Sequence, residues 1–281
     1  MKKSIFVLSI LLVLFSCKEK SALKAVYKQE PPKVVSYHLE SPKTWITANS
    51  SNAKLVRIVL AVNRTDKANL IHMDSILVPN ERDGRISDYL PFPVEVASLE
   101  VIEKIIFFSY PTQVFAAYEK GKLVYTGPTN MGRKKDPTPT GLFYTNWKAE
   151  KTTSTFNDEW DLRWNFNIEN KLGVGWHQYA LPGYPASHSC LRLQEKDARY
   201  LYNWADEWVL ADKETVQTKG TPVIIFGSYD FGSPKPWLQL VENPRVLDIS
   251  ITEIEKQTAP YLSTILAEQK KRKSNHISNE L

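Results

Sequence analysis

Cys190 is one of only two cysteines in a chain of 281 residues. It stands in a stretch, Gly175 to Leu193, that also holds His177, His188 and Arg192. A free thiol has a pKa of about 8.5, so attack on a carbonyl near neutral pH needs a base or a positive field to generate thiolate, and an imidazole supplies either. His188 precedes Cys190 by two residues, and His177 lies upstream across a Pro182-Gly183-Tyr184-Pro185 loop that can fold back on itself. If 188–190 is extended, His188 and Cys190 share a face; if His177 closes a neighbouring strand, its ring approaches from across the pair. A metal centre built from His177, His188 and Cys190 would lack a fourth ligand. Thiolate, imidazole and backbone donors need no cofactor. Arg192 suits two roles: fixing the loop through backbone carbonyls, which is the favoured one, or holding a substrate carboxylate in its planar fork.

The elements around this stretch read mainly as strands. Lys104 to Ser109, Gln113 to Tyr118 and Lys122 to Thr126 are rich in Ile, Val, Phe and Tyr, and Lys120-Gly121 is a hairpin turn between the last two. Leu162 to Ile168 alternates apolar and polar residues as a half-buried strand does, and Gly173 to Trp176 leads into His177 as another. Thr221 to Phe226 is a buried strand between Gly220 and Gly227. From Gln194 to Leu210 apolar residues recur at helical spacing, which predicts one amphipathic helix packed on the sheet. The fold class is mainly β with α, that is α+β. Trp160, Trp164 and Trp204 are expected in the core, and Trp176 and Tyr184, which flank the chemistry-bearing residues, are expected to line a cleft.

At this point the sequence resembles the L,D-transpeptidases of the YkuD type, bacterial enzymes whose motif runs from a His through a variable loop to Ser-His-Gly-Cys-x-Arg. Ser187-His188-Ser189-Cys190-Leu191-Arg192 is similar to that motif, and Thr138-Pro139-Thr140-Gly141-Leu142-Phe143 is similar to an upstream one. The resemblance covers roughly residues 104–228. It implies a mixed β-sheet or sandwich catalytic domain with one helix after the Cys motif, placed at 101–230. It implies Cys190 as nucleophile, His177 as its general base or imidazolium partner, and Gln178 as the residue whose carbonyl orients that imidazole. His188 would contact substrate or sulfur, Ser187 and Arg192 would occupy the remaining motif positions, and backbone N–H groups around Ser189 to Leu191 would receive the oxyanion. Ser189 stands where the family usually has Gly, which requires a backbone less demanding than the one glycine serves.

The flanks supply context. Lys2 and Lys3, the apolar run Ile5 to Phe15 and the small residues after it predict a signal peptide over 1–17. Leu14-Phe15-Ser16-Cys17 resembles the bacterial lipobox, which implies lipid attachment at Cys17 and an exported, membrane-anchored lipoprotein facing the periplasm or cell wall. Residues 18–50, rich in Lys, Glu, Ser and Pro, read as a tether. Residues 51–100 read as a small subdomain, with a helix at Ala53 to Asn63 and a strand ending at Pro79, faintly similar to half of a LysM-type glycan-binding repeat. Residues 231–281 read as an extension, partly helical from Thr252 to Lys273 and interrupted at Pro260. Net charge is +5 with Lys and Arg interleaved among Asp and Glu, which excludes a nucleic-acid stripe. The expected partners are peptidoglycan stem peptides and, through the lipid, a membrane. The expected activity is L,D-transpeptidation through a Cys190 thioester; L,D-carboxypeptidase activity and a non-catalytic peptidoglycan-binding lipoprotein are the alternatives.

Overall fold

A computed structural model describes residues 35–153 and 161–279. The signal peptide, Cys17 and residues 18–34 of the tether lie outside the described residues, as does Trp160. Residues 33–281 form one compact unit.

The unit opens with β1 (Tyr37–Glu40), α1 (Pro42–Asn49), α2 (Ala53–Val62), α3 (Lys67–Leu70) and β2 (Ile76–Pro79). β1 and β2 pair antiparallel. The chain then runs through β3 (Lys104–Ser109), β4 (Val114–Glu119), β5 (Lys122–Pro128), β6 (Gly141–Tyr144), β7 (Lys148–Thr153), β8 (Asp161–Glu169), β9 (Val174–Gln178) and β10 (Leu191–Leu193). Next come α4 (Glu195–Trp204), β11 (Val209–Leu210), β12 (Val216–Thr218) and β13 (Pro222–Phe226), and the chain closes with α5 (Ile251–Thr258) and α6 (Leu262–Asn279). The result is a mixed α+β fold with several sheets and few helices.

A five-stranded sheet, β5-β4-β3-β13-β6, forms the centre, and β13 runs parallel to β3. Both strands are nearly continuous apolar runs because both of their faces are covered. Ile106, Phe108, Phe115, Ala117, Val223 and Ile225 face one way, onto Phe166 and Trp176 of the second sheet and Ala198 and Leu201 of α4. Ile105, Phe107, Ala116, Tyr118, Ile224 and Phe226 face the other way, onto Leu90, Phe92, Leu99, Ile254 and Ile265. At the β4–β5 turn Lys120 and Gly121 take φ of 45° and 76°, as a two-residue hairpin turn with both centres left-handed requires. A side chain on Gly121 would also meet the Val96 carbonyl at 2.4 Å.

Several segment boundaries differ from those read in the sequence. The tether does not reach residue 50: Tyr37 to Asn49 are β1 and α1, and Trp45, 1% exposed, packs on Leu55, Val59 and Leu70. Polar spacing hid this, because a short amphipathic helix needs few apolar residues. Residues 51–100 and 231–281 are not separate bodies. Ala61 and Leu90 to Ile102, with Ile254 and Ile265 from the far end of the chain, cover the outer face of the central sheet. Without them that apolar face would meet water. The helix expected over 194–210 ends at Trp204, after which Ala205 is extended and Val209–Leu210 pairs with Val216–Thr218. Its end is fixed by tertiary bonds: Asp206 N–H donates to Thr221 Oγ1, Trp208 N–H to the Asn146 carbonyl, and Lys104 pairs with the Asp206 carboxylate. Pro260 lies in a 3-10 turn between α5 and α6.

Candidate active site

The second sheet, β10-β9-β8-β7, carries the candidate residues, and its β10–β9 pair is parallel. Arg192 sits opposite His177 and Leu191 opposite Trp176. Continued by one residue, this register sets Cys190 beside Gly175, so Cys190, Arg192 and His177 share one face of the pair. Gly175 is where backbone must come close: a Cβ there would meet the Phe166 carbonyl at 2.4 Å. The Cys190 thiol donates to the Gly173 carbonyl at 3.6 Å.

His177 is 4% exposed, and its Nδ1 lies 3.0 Å from the Gln178 carbonyl. Because a carbonyl only accepts, Nδ1 holds the proton and Nε2 keeps a free lone pair. Burial pushes the imidazole down to about 4, against the opposing pull of the Gln178 carbonyl, and the nearby Arg192 charge lowers it further. His177 is therefore neutral near pH 7. Burial also pushes the Cys190 thiol up, while the Gly175 N–H and the Arg192 charge draw it down. Thiol and neutral imidazole describe the resting pair better than a preformed thiolate–imidazolium.

The turn before β10 is held from inside. Ser187, 1% exposed, donates from Oγ to the Cys190 carbonyl at 2.5 Å, and its own N–H and C=O bond to Met131 and Arg133. Thr138 accepts from Gly132 N–H at 2.8 Å and donates to the Ser189 carbonyl at 2.8 Å. This gives the Thr138 to Phe143 stretch a concrete part in the site. Ser189 takes φ of 79°, the left-handed region, so the expectation of a relaxed backbone is corrected: serine occupies a conformation that glycine adopts without strain. Its Oγ reaches the Asp136 carbonyl at 3.4 Å.

With Ser189 bent in this way, 188–190 is not extended, and the alternate-face argument for pairing His188 with Cys190 fails. His188 lies instead among Arg133, Lys135, Asp136 and Arg192; partial burial and then the Arg133 charge lower its pKa. Leu191 is a fully buried side chain of β10. Trp176 is fully buried against Phe166, 4.8 Å between ring centres, so it belongs to the core and not to a cleft wall, whereas Tyr184 is 49% exposed. Trp164, 9% exposed, lies in the core.

Arg192 fixes the loop through its main chain: its N–H and C=O pair with Asn130, and Thr129 Oγ1 donates to the same carbonyl. Its guanidinium donates to no protein acceptor among the described residues and stacks 4.5 Å from the Tyr179 ring centre. The loop-fixing role expected of the side chain is thus done by the backbone, and the fork is left for a ligand.

Sequence reasoning missed the groups that hold the loop between His177 and Ser187. Asp66 accepts from Leu181 N–H at 2.7 Å, and Thr65 Oγ1 donates to the Leu181 carbonyl at 2.9 Å. Buried Asn130 donates to the Arg64 carbonyl at 2.9 Å and accepts from Gly183 N–H at 3.1 Å. Arg64, fully buried, donates to the carbonyls of Thr112, Ala61 and Val62 and lies 5.2 Å over the Trp237 ring. Burial lowers this guanidinium to about 9. Asn130 lies in the Thr129-Asn130-Met131-Gly132 run that precedes the Thr138 to Phe143 motif.

No curated protein sequence matches the chain. Among solved structures, an L,D-transpeptidase from Stackebrandtia nassauensis is 22% identical with a TM-score of 0.37, over 45% of this chain and 57% of its own. One from Mycobacterium tuberculosis H37Rv is 21% identical with a TM-score of 0.36, over 45% of this chain and 58% of its own. One from Enterococcus faecium is 24% identical with a TM-score of 0.36, over 44% of this chain and 50% of its own. The chain thus spans less than two thirds of the length of each of these proteins. The segment that includes both sheets and the Cys190 turn, residues 103–225 and less than half of the chain, matches the family model YkuD, the L,D-transpeptidase catalytic domain.

Proposed function

We propose that this protein is an L,D-transpeptidase that acts on peptidoglycan stem peptides with Cys190 as its nucleophile. The observation that carries the reading is the parallel β9–β10 register, which sets a buried His177, its Nδ1 bonded to the Gln178 carbonyl, on the same face as Cys190. The family match to 103–225 supplies the substrate class.

In the proposed reaction neutral His177 takes the thiol proton at Nε2 as sulfur attacks the carbonyl carbon of the third stem residue. Backbone N–H groups of the Ser189 to Leu191 turn receive the oxyanion. Collapse breaks the bond to the terminal D-amino acid, whose amine leaves with the proton from His177, and a thioester remains. An acceptor amine then attacks the thioester carbonyl, His177 removes its extra proton, and the thiol is restored. A third-residue side-chain amine gives a cross-link between stems, a protein amine gives a wall-attached protein, and water gives carboxypeptidase activity. Export and lipid anchoring through Cys17 belong to the same proposal and would place the site against the wall.

A carbapenem, whose strained acyl group a competent thiol opens, tests the site without a wall substrate. Intact-mass spectra should show one adduct on the wild-type chain, mapped to Cys190 and absent from Cys190→Ala. An adduct that persists in Cys190→Ala refutes the assignment.

A further inference from the structure

Among the cations near the candidate site whose side chains have no hydrogen bond or ion pair with described residues, two act on Tyr184. One is Arg192. The other is Lys235, which lies outside the segment matching the family model. Its stem is half-buried, its ammonium stands 5.8 Å from the centre of the Tyr184 ring, and the position where a side chain on Gly183 would begin is 3.6 Å from Nζ. Gly183 and Tyr184 lie in the loop between His177 and Ser187. Asp74 is the carboxylate that acts on Lys235 electrostatically, and the two form no ion pair.

Both sides of this contact are fixed in place. Lys235 precedes Pro236 and Trp237, and Trp237 is fully buried against the Arg64 guanidinium. Gly183 hangs from Asn130, whose main chain pairs with Arg192. Tyr184 stands within electrostatic reach of the Arg192 guanidinium, as does Cys190. Lys235 and Arg192 thus both act on Tyr184, and Arg192 acts on Cys190 as well, which gives this side of the site a cationic edge. A half-buried ammonium without a hydrogen-bonding anion is a poor structural element and a ready ligand site.

We propose that Lys235, standing over Tyr184, binds a carboxylate of the acyl-donor peptide and so selects donors that carry one near the scissile bond. This rests on the reading of the site as one that takes stem peptides. The carboxylate has two sources, the terminal D-amino acid and the side chain of the third residue, and the test separates them.

Full-length Cys190→Ala, which cannot turn over, is titrated calorimetrically with a stem tetrapeptide, with its C-terminal amide, and with a version whose third residue lacks the side-chain carboxylate. Lys235→Met keeps the apolar stem on Tyr184 and removes the charge. It should weaken the tetrapeptide roughly tenfold and leave unchanged the one analogue that lacks the bound carboxylate, with Lys235→Arg recovering part of the affinity. Equal loss for all three peptides, no loss, or no binding overturns the subsite. Release of the terminal D-amino acid by the wild-type chain is read separately: if it is absent while binding remains carboxylate-dependent, the proposed reaction fails and the subsite stands.

Discussion

Asp197→Asn tests the claim that His177 is held neutral by burial. His177 is pushed down from 6.5 to about 4, so between those values the unfolded chain binds a proton that the folded chain refuses. Stability conferred by this group is present above pH 6.5 and falls as pH drops towards 4. Asp197 works in the opposite sense. Buried at the start of α4 with Tyr125 donating to it at 2.8 Å, it is pushed up from 3.8 to about 6, chiefly by burial. Between those values the folded chain binds the extra proton, so stability rises as pH falls through 6. From pH 7 to 4.5 the His177 contribution falls and the Asp197 contribution rises, each by about 2 kcal/mol. In the wild type the two slopes nearly offset. Asn accepts the Tyr125 hydroxyl but does not titrate, so the variant exposes the His177 slope. Urea unfolding at pH 7, 6, 5 and 4.5 should show the stability of Asp197→Asn itself declining by about 2 kcal/mol across that range, which reads His177, while its difference from wild type, in which the shared His177 slope cancels, reads Asp197. A flat profile for Asp197→Asn would refute the neutral, buried His177, and parallel profiles of the two chains would refute the raised Asp197 carboxyl.

Two further substitutions test the supports of the site. Ser189→Gly should be more stable than wild type by about 0.5–1 kcal/mol in urea unfolding, because relief of the left-handed φ outweighs the long bond to the Asp136 carbonyl; a loss of stability would show that the Oγ contact dominates. Asn130→Ala leaves Gly183 N–H and the Arg64 carbonyl without their buried partner, a loss of about 2–4 kcal/mol. Its hydrogen exchange should accelerate over residues 180–186 more than over β3 and β4, and unchanged exchange in that loop would remove Asn130 from its positioning role.

The central strands were legible because their residues are apolar on both faces or alternate with period two, and the Lys120-Gly121 turn carries its own signature. The candidate residues were legible because they lie close together in sequence. What pattern did not reveal is long-range. Nothing local to Asp66 or Thr65 shows that they hold Leu181, and nothing local to Ile254 or Ile265 shows that they cover the central sheet. Arg64 reads as a surface residue in a polar break, yet it is buried, with φ of 54° and three backbone acceptors. The end of α4 at Trp204 is likewise set by Thr221 and Asn146, which are distant in sequence. Trp176 was misread because adjacency in sequence to His177 says nothing about facing: alternation along β9 turns the two side chains to opposite sides.

Release of the terminal D-amino acid from a purified stem tetrapeptide, followed for wild type and Cys190→Ala under identical conditions, addresses the central claim most directly. Release by the wild-type chain and none by the variant is the predicted result. Equal release from both chains, or release from neither, would contradict the assignment of Cys190 as the nucleophile of an L,D-transpeptidase.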